Sequence, residues 1–224
     1  MTRRPLLLVG AGGFARETLE LIDAVNRAAP AWEVVGLLDD NPALHATEIH
    51  GVPVLGPVEL VHDRTDAQVV ASVASPADPL RRCRLVARLG LPDERYATLV
   101  HPAAVVPGSA EIGPGCVLHA TTVLTADVRL GAHVAVMPAV VLTHDVAVGE
   151  GVTFAARVSV AGGVAIGRGA YIGAGALLRE GLTVGEGSLV GMGAVVTRDV
   201  PADEVWMGAP ARRLRSASAA EALA

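Results

Sequence analysis

The sequence predicts a two-domain protein in which a small α/β domain precedes a coil of short parallel β-strands. Three observations predict this order. Residues 5–41 have the pattern of strand, glycine-rich turn, helix and strand. Apolar residues then recur at every sixth position from 100 to 196, and within that stretch glycine recurs at every eighteenth. We therefore expect an α/β domain over residues 1–98, an all-β coil over residues 99–200 and a C-terminal tail over residues 201–224.

The first segment has the pattern of half a Rossmann-type unit. An apolar strand over residues 5–9 leads into a Gly-Ala-Gly-Gly turn, a helical pattern covers residues 16–29, and a second strand over residues 34–38 ends in Asp39 and Asp40. Glycines at such a turn let the backbone approach a phosphate at the helix N-terminus, where unpaired N–H groups favour an anion. An acidic residue at the strand end can accept a hydrogen bond from a ribose hydroxyl or a base N–H. The pattern therefore predicts a nucleotide site.

The rest of this domain is short, with a strand near residues 69–73 and a helix from about residue 79 to residue 89. So short a segment has no room for the six-stranded sheet of a full dinucleotide fold. We expect a Rossmann-like βαβ domain of the mononucleotide type. A cap whose glycine turn stays empty is the alternative.

The second domain is predicted from a six-residue repeat of apolar anchors that has no miss and no insertion. The seventeen anchors are Val100, Val106, Ile112, Leu118, Leu124, Leu130, Val136, Leu142, Val148, Phe154, Val160, Ile166, Ile172, Leu178, Val184, Val190 and Val196. A period of six fits neither a helix nor a single strand, but it fits short strands joined by tight turns. We expect about five coils, with the anchors packed inside a prism.

Glycine follows the anchor at positions 113, 131, 149, 167 and 185, a spacing of three hexads. One coil is therefore expected to have three faces. We expect these glycines at the corners, where a side chain or a negative φ would be unfavourable.

A histidine followed directly by an acid is the feature that points to catalysis. His144 comes two positions after an anchor, near a corner, and Asp145 follows it. A neutral imidazole suits proton removal from a nucleophile near pH 7, and a neighbouring carboxylate fixes its tautomer. Gly162 lies one coil further on, and its N–H is sterically open to an oxyanion. The alternatives are a solvated surface pair and an ordinary corner glycine.

Composition excludes several classes of function. A net charge of −5 argues against nucleic acid as the main partner. No apolar stretch reaches the roughly 18 residues that span a bilayer, so no membrane partner is expected. Cys83 and Cys116 lie in different predicted domains, so we expect no disulfide framework and a cytoplasmic location. No metal site is predicted, because the histidines and cysteines do not cluster with ligand spacing.

Five segments carry a resemblance to a known family. They are Val9-Gly-Ala-Gly-Gly-Phe-Ala-Arg-Glu17, Leu38-Asp-Asp-Asn41, His101-Pro102, Thr143-His-Asp-Val146 and Gly208-Ala-Pro-Ala-Arg212. In this order they resemble the sialic acid and bacillosamine acetyltransferases, hexapeptide-repeat acyltransferases with an N-terminal Rossmann-like sugar-nucleotide domain. The resemblance implies a left-handed parallel β-helix, acetyl-CoA as co-substrate, His144 as general base with Asp145 raising its basicity, and Gly162 as oxyanion donor.

The resemblance also implies which residues bind the substrates. On the sugar nucleotide it puts Gly12, Gly13 and Phe14, with Asp39 and Asp40 at the nucleoside. On acetyl-CoA it puts Thr153, Gly162, Ala174 and Met192, and Arg212 after the last coil is a candidate for the CoA phosphates. Thr153 stands where relatives often have a second histidine. Met137 stands where many have asparagine, which predicts an acceptor pocket of reduced polarity.

We therefore predict an acetyl-CoA-dependent acetyltransferase that acts on the amino group of a nucleotide-linked amino sugar and assembles as a homotrimer. One alternative is an O-acetyltransferase of sialic acid or another sugar hydroxyl. The other is a non-catalytic solenoid scaffold whose first domain binds a nucleotide. The adjacent His144 and Asp145 favour an enzyme, because a scaffold has no need of a paired base.

Overall fold

The computed structural model describes residues 3–217, so residues 1–2 of the predicted first domain and residues 218–224 of the predicted tail lie outside the described residues. The first part of the chain is a five-stranded sheet. Its strands are β1 (Arg4–Val9), β2 (Trp32–Leu38), β3 (Glu48–Ile49), β4 (Val52–Gly56) and β5 (Gln68–Ala71), in the order β3-β4-β2-β1-β5. All pairings are parallel except that of β3 with β4.

Two α-helices and three 3-10 helices accompany this sheet. The α-helices are α1 (Gly13–Ala28) and α2 (Arg81–Leu89), and the 3-10 helices are Pro42–Leu44, Val58–His62 and Asp93–Arg95. The helix α1 begins at Gly13, three residues before its expected start, so the glycine turn itself forms the helix N-terminus. The apolar run of β1 is completely buried, as expected of a central strand in a parallel sheet covered on both sides.

The second part is a parallel β-helix with three faces and five complete coils, so the predicted fold class is confirmed. The first face contains Glu111–Ile112, Arg129–Leu130, Ala147–Val148, Ala165–Ile166 and Thr183–Val184. The second contains Leu99–Val100, Val117–Leu118, Ala135–Val136, Thr153–Phe154, Tyr171–Ile172 and Leu189–Val190. The third contains Val123–Leu124, Val141–Leu142, Ser159–Val160, Leu177–Leu178 and Val195–Val196. No excursion loop interrupts the five coils.

The apolar anchors fill the interior of this β-helix. From Leu118 to Val196 every anchor is at most 6 % exposed. The first three anchors are less covered, and Val106 is 37 % exposed, because no complete coil lies below them. Each strand's second residue therefore points inward and its first residue points outward, as the period of two within a strand requires.

The corner glycines confirm the expectation about side-chain space and contradict the expectation about φ. A Cβ at Gly131 would lie 2.8 Å from Glu150 N in the next coil, so a side chain is excluded by the close approach of two backbones. The expectation about φ is wrong, because these glycines do not adopt left-handed φ values. The left-handed position comes two residues later in each hexad, as at Gly151 and at Asp145, where φ is 60°.

The predicted C-terminal tail contains a β-hairpin that the six-residue repeat does not predict. Glu204–Met207 pairs in parallel with Leu189–Val190 and antiparallel with Arg212–Ser216. The hairpin extends the second face beyond the last coil, and Trp206 joins the end of the core there.

The first domain packs on the second face of the β-helix. Phe14 in α1 shares one buried apolar cluster with Val117 and Ala135 of that face. We name the turns after first-face, second-face and third-face strands corner 1, corner 2 and corner 3. In a three-sided prism, corner 3 lies opposite the second face, and therefore opposite the first domain of the same chain.

Truncation of one anchor tests how much the interior packing stabilises the β-helix. Ile166→Ala is expected to lower the free energy of unfolding by about 2–5 kcal/mol, because the 3 % exposed side chain leaves a cavity that neighbouring coils cannot close. Urea denaturation followed by circular dichroism measures this loss. Leu214→Ala, which truncates a 57 % exposed side chain, is the matched control and is expected to change little. Equal losses in the two variants would contradict the inward register.

Candidate active site

The adjacent His144 and Asp145 lie on corner 3. His144 and Asp145 follow the third-face strand Val141–Leu142, and His144 Nδ1 lies 2.8 Å from Asp145 Oδ2. An ionised carboxylate only accepts hydrogen bonds, so Nδ1 carries the proton and donates it to Asp145. His144 Nε2 is therefore left as the acceptor of a proton. The left-handed φ of Asp145 is tolerated by aspartate better than by most residues.

Gly162 leaves the space in which the His144 ring lies. A Cβ at Gly162 would be 2.3 Å from His144 Cε1 and 2.4 Å from Nε2. Its N–H has no acceptor among the described residues, although the same turn position is unpaired in the other coils as well. The unpaired N–H alone thus marks no oxyanion site. The imidazole against Gly162 distinguishes this coil, because it brings a base and an open N–H together.

The side chains of His144 and Asp145 are open to solvent in a single chain. The His144 and Asp145 side chains are 65 % and 63 % exposed. Electrostatic stabilisation of an oxyanion is strongest where water is excluded. This corner therefore needs a cover before it can act as an efficient site.

The glycine turn of the first domain leaves space beside the helix N-terminus. Gly10 is required by its own fold, since its φ is +111° and a Cβ would lie 2.6 Å from Val73 Cγ1. By contrast, a Cβ at Gly12 would meet nothing within 4 Å, and one at Gly13 would meet only Arg16 at 3.8 Å. Packing within the chain does not explain glycine at these two positions. Close approach of a ligand to the backbone would explain it.

The two acidic residues at the end of β2 are already engaged. Asp39 Oδ2 accepts a hydrogen bond from the Ala11 N–H at 2.9 Å, so this carboxylate ties the strand end to the glycine turn. Asp40 accepts from Arg88 Nη1 at 2.7 Å, and this hydrogen bond lowers the pKa of the Asp40 carboxyl. Glu59 also pairs with Arg88. A ligand at Asp40 would therefore meet an ion pair instead of a free carboxylate.

A cavity of about 460 Å³ lies between the first domain and corner 2; we call it the inter-domain cavity. Its walls include Phe14 and Glu17 of α1 together with Met137, Thr153 and Ala155 of the β-helix. Phe14 is 8 % exposed, and its ring faces the β-helix, 6.1 Å from the ring of His119. Met137 makes its part of the cavity wall apolar.

The predicted acetyl-CoA residues do not lie together in one chain. Gly162 is on corner 3, while Ala174 and Met192 follow second-face strands and lie on corner 2. Met192 is 80 % exposed. Thr153 is 6 % exposed and lines the inter-domain cavity, and Arg212 begins the last strand of the hairpin.

Neither a membrane-spanning helix nor a cluster of metal ligands is present in the described part of the chain. Within residues 3–217 no helix is long and apolar enough to cross a membrane. In the same range no three His, Cys, Asp or Glu side chains converge as metal ligands.

Known proteins resemble this chain in its first part and in its whole fold. The PglD N-terminal domain profile matches residues 5–108. The acetyltransferase domain of PglB from Neisseria gonorrhoeae, solved in complex with acetyl coenzyme A, is 28 % identical with a TM-score of 0.82, and the match covers 95 % of this chain and 100 % of that one. A mutant perosamine N-acetyltransferase from Caulobacter crescentus, in complex with CoA and GDP-perosamine, is 25 % identical with a TM-score of 0.82 over 94 % and 96 % of the two chains. These comparisons support the sugar acetyltransferase family for this chain.

A further relative extends the comparison. WeeI from Acinetobacter baumannii is 29 % identical with a TM-score of 0.78, and the match covers 93 % of this chain and 99 % of that one. A search of curated proteins finds no match. The structures that share this fold over nearly the whole chain include acetyltransferases, which supports an enzyme over the scaffold alternative.

Sequence reasoning missed two arginines that hold parts of the candidate site in place. Arg88 holds Asp40, and Arg82 bridges the two domains from the buried side of α2. Four arginines occur between residues 81 and 88, and the sequence gives no signal that separates the buried one from the others.

Proposed function

We propose that this protein is a sugar acetyltransferase that transfers the acetyl group of acetyl-CoA to the amino group of a nucleotide-linked amino sugar, with His144 as the general base. The observation that carries the proposal is the arrangement on corner 3, where His144 donates from Nδ1 to Asp145 and rests its ring on Gly162. Relatives of the same fold and length bind acetyl-CoA, CoA or GDP-perosamine. The proposed base and the proposed substrates thus rest on independent observations.

The chemistry assigns one role to each residue of corner 3. His144 Nε2 accepts a proton from the acceptor nitrogen as that nitrogen attacks the thioester carbonyl. Asp145 holds the ring and stabilises the imidazolium that forms. The Gly162 N–H donates to the oxygen on which negative charge develops. The C–S bond then breaks, and the imidazolium returns the proton to the sulfur of CoA.

We propose a homotrimer in which the base of one chain faces the glycine turn of another. In one chain, corner 3 lies opposite the face that carries the first domain, so His144 and Gly12 are on opposite sides of the prism. The candidate acetyl-CoA residues are divided in the same way between corners 2 and 3. A second chain that brings its corner 2 to this corner 3 joins the two halves and excludes water from the base.

The third face offers the surface for this contact. Its outward residues are Val123, Val141, Ser159, Leu177 and Val195, one on each coil, and Leu177 is 48 % exposed. The outward residues of the first face include charged Glu111 and Arg129, and the second face is covered by the first domain. The third face is therefore the more apolar of the two uncovered faces, and a second copy of this chain is the occupant that we propose.

A screen of acceptors tests the proposed reaction. The full-length protein is incubated with acetyl-CoA and a panel of UDP-, TDP- and GDP-linked amino sugars, and mass spectrometry detects the mass of one added acetyl group. Sialic acid and the hydroxyl analogues of the same sugars test the O-acetylation alternative in parallel. Acetylation of an amino sugar is the expected result. Product only from hydroxyl acceptors would reject the amine specificity, and no product would reject the proposed substrates.

A substitution in the glycine turn tests the nucleotide site. Gly12→Val is expected to raise KM for the sugar nucleotide by roughly ten-fold or more while KM for acetyl-CoA changes little, because the new side chain fills space that the chain itself leaves open. Steady-state kinetics with each substrate varied in turn measures both constants. Gly108→Val, which also enters open space but lies outside the first domain, is the control. A parallel rise of both KM values would contradict a nucleotide site at this turn.

A further inference from the structure

Arg82 is a buried arginine with no acidic partner among the described residues. It lies on α2 at the junction of the two domains and is 3 % exposed. Its Nε donates to Val73 O at 2.9 Å in the first domain, and its Nη1 donates to His133 O at 3.0 Å in the β-helix. Among residues 3–217 no Asp or Glu forms an ion pair with it. Burial lowers the pKa of the guanidinium to about 10, so it stays charged at neutral pH.

A buried cation without a counter-ion is costly, and backbone carbonyls alone already satisfy part of its hydrogen-bonding need. The side chain that accepts a hydrogen bond from Arg82 is Thr153, whose Oγ1 lies 3.1 Å from Arg82 Nη2. The guanidinium also lies 5.2 Å from the centre of the Phe14 ring. Thr153 and Phe14 both line the inter-domain cavity, so the charge lies directly behind the cavity wall.

The contact with Arg82 determines how the Thr153 hydroxyl can point. A hydroxyl has one hydrogen to donate and two lone pairs, and the bond from Arg82 occupies a lone pair. No acceptor for the hydroxyl hydrogen is found in the part of the chain that the structure describes. The inter-domain cavity is the open side of this buried residue. A donor bond from a cation also polarises the hydroxyl and makes it a stronger donor in turn.

We propose that Arg82 is a positioning residue for acetyl transfer: it fixes Thr153 Oγ1 as an acceptor and thereby directs the hydroxyl hydrogen toward an oxygen of a substrate in the inter-domain cavity. The proposal rests on the proposed function. In either substrate, the group that accepts this hydrogen bond is an oxygen atom. It belongs either to the thioester carbonyl of acetyl-CoA or to the diphosphate of the sugar nucleotide, and the two sources affect different kinetic constants.

Two substitutions of Thr153 separate the hydroxyl from the shape of the side chain. Thr153→Val removes the hydroxyl with little change of volume and is expected to lower kcat/KM by roughly 10- to 100-fold. Thr153→Ser keeps the hydroxyl and is expected to retain activity within about threefold. A loss confined to kcat/KM for acetyl-CoA assigns the acceptor oxygen to the thioester. A loss confined to kcat/KM for the sugar nucleotide assigns it to the diphosphate.

Arg82→Met tests the connection between the two residues. It is expected to lower kcat/KM in the wild-type background by roughly 10-fold or more and to have little further effect on activity beside Thr153→Val, because the hydroxyl it positions is then absent. Arg95→Met is the matched control, since Arg95 donates to the carbonyls of Ala67 and Arg64 within the first domain. Both arginine variants are expected to lower the unfolding temperature. Arg82→Met alone is expected to change the kinetics.

The outcomes separate this proposal from the proposed function. An active wild-type protein whose Thr153→Val variant keeps its activity within twofold would overturn the role of Arg82 and Thr153 alone. Equal losses in Thr153→Val and Thr153→Ser would do the same. A wild-type protein that shows no calorimetric binding of acetyl-CoA and no transfer to any sugar would overturn the proposed function and this proposal together. The Thr153 pair keeps the test decisive if Arg82→Met does not fold.

Discussion

His144→Ala is expected to lower kcat/KM by roughly 10²–10⁴-fold and to leave the protein folded. The substitution removes the imidazole that we propose as acceptor of the proton from the attacking nitrogen. It removes little packing, because the imidazole is 65 % exposed at corner 3. The measurement is steady-state kinetics with the best acceptor from the amino-sugar panel, together with the unfolding temperature.

His62→Ala is the matched control for this substitution, since His62 is an exposed histidine of the first domain. It is expected to have wild-type kinetics. Asp145→Asn is expected to be milder than His144→Ala, with a loss of roughly 10- to 100-fold, because the imidazole remains but its acceptor is weakened. Activity of His144→Ala within threefold of the wild type would reject His144 as the base.

The parts of the fold that were predictable from the sequence are those whose contacts repeat at a fixed spacing. Each coil bonds to the next at a separation of eighteen residues, as between Ala147 and Ala165, so one local rule generates the whole β-helix. The candidate residues of corner 3 were predictable because they are neighbours in the sequence or one repeat apart. His144 and Asp145 are adjacent, and Gly162 is one coil away from His144.

The contacts between the domains follow no such rule. Arg82 reaches the His133 carbonyl across 51 residues and Thr153 across 71. The bond between Asp40 and Arg88 spans 48 residues. A helix with several arginines has the same pattern whichever of them is buried, so only the docked structure distinguishes Arg82. The sequence likewise suggests free carboxylates at the end of β2, whereas the fold engages both of them.

Gly162→Ala provides a test of the geometry at corner 3 that leaves His144 in place. The added methyl group would overlap the imidazole, with its carbon 2.3 Å from Cε1 and 2.4 Å from Nε2 in the present arrangement. The ring must therefore rotate away from its present position, which is the one that we propose for proton transfer. Since φ of Gly162 is not left-handed, alanine adds no backbone strain, and the exposed ring can move at little cost in stability.

We expect Gly162→Ala to lower kcat/KM by roughly 10²–10³-fold with an unchanged unfolding temperature, because a base displaced by an ångström or more loses most of its effect. Alanine retains the backbone N–H, so the loss reports on the base more than on the oxyanion donor. Gly108→Ala, where the methyl group meets nothing within 4 Å, is the matched control. In the His144→Ala background the ring is absent, so Gly162→Ala is expected to cause little further loss. Independent, multiplicative losses in that double variant would show that Gly162 acts in some way other than by seating His144.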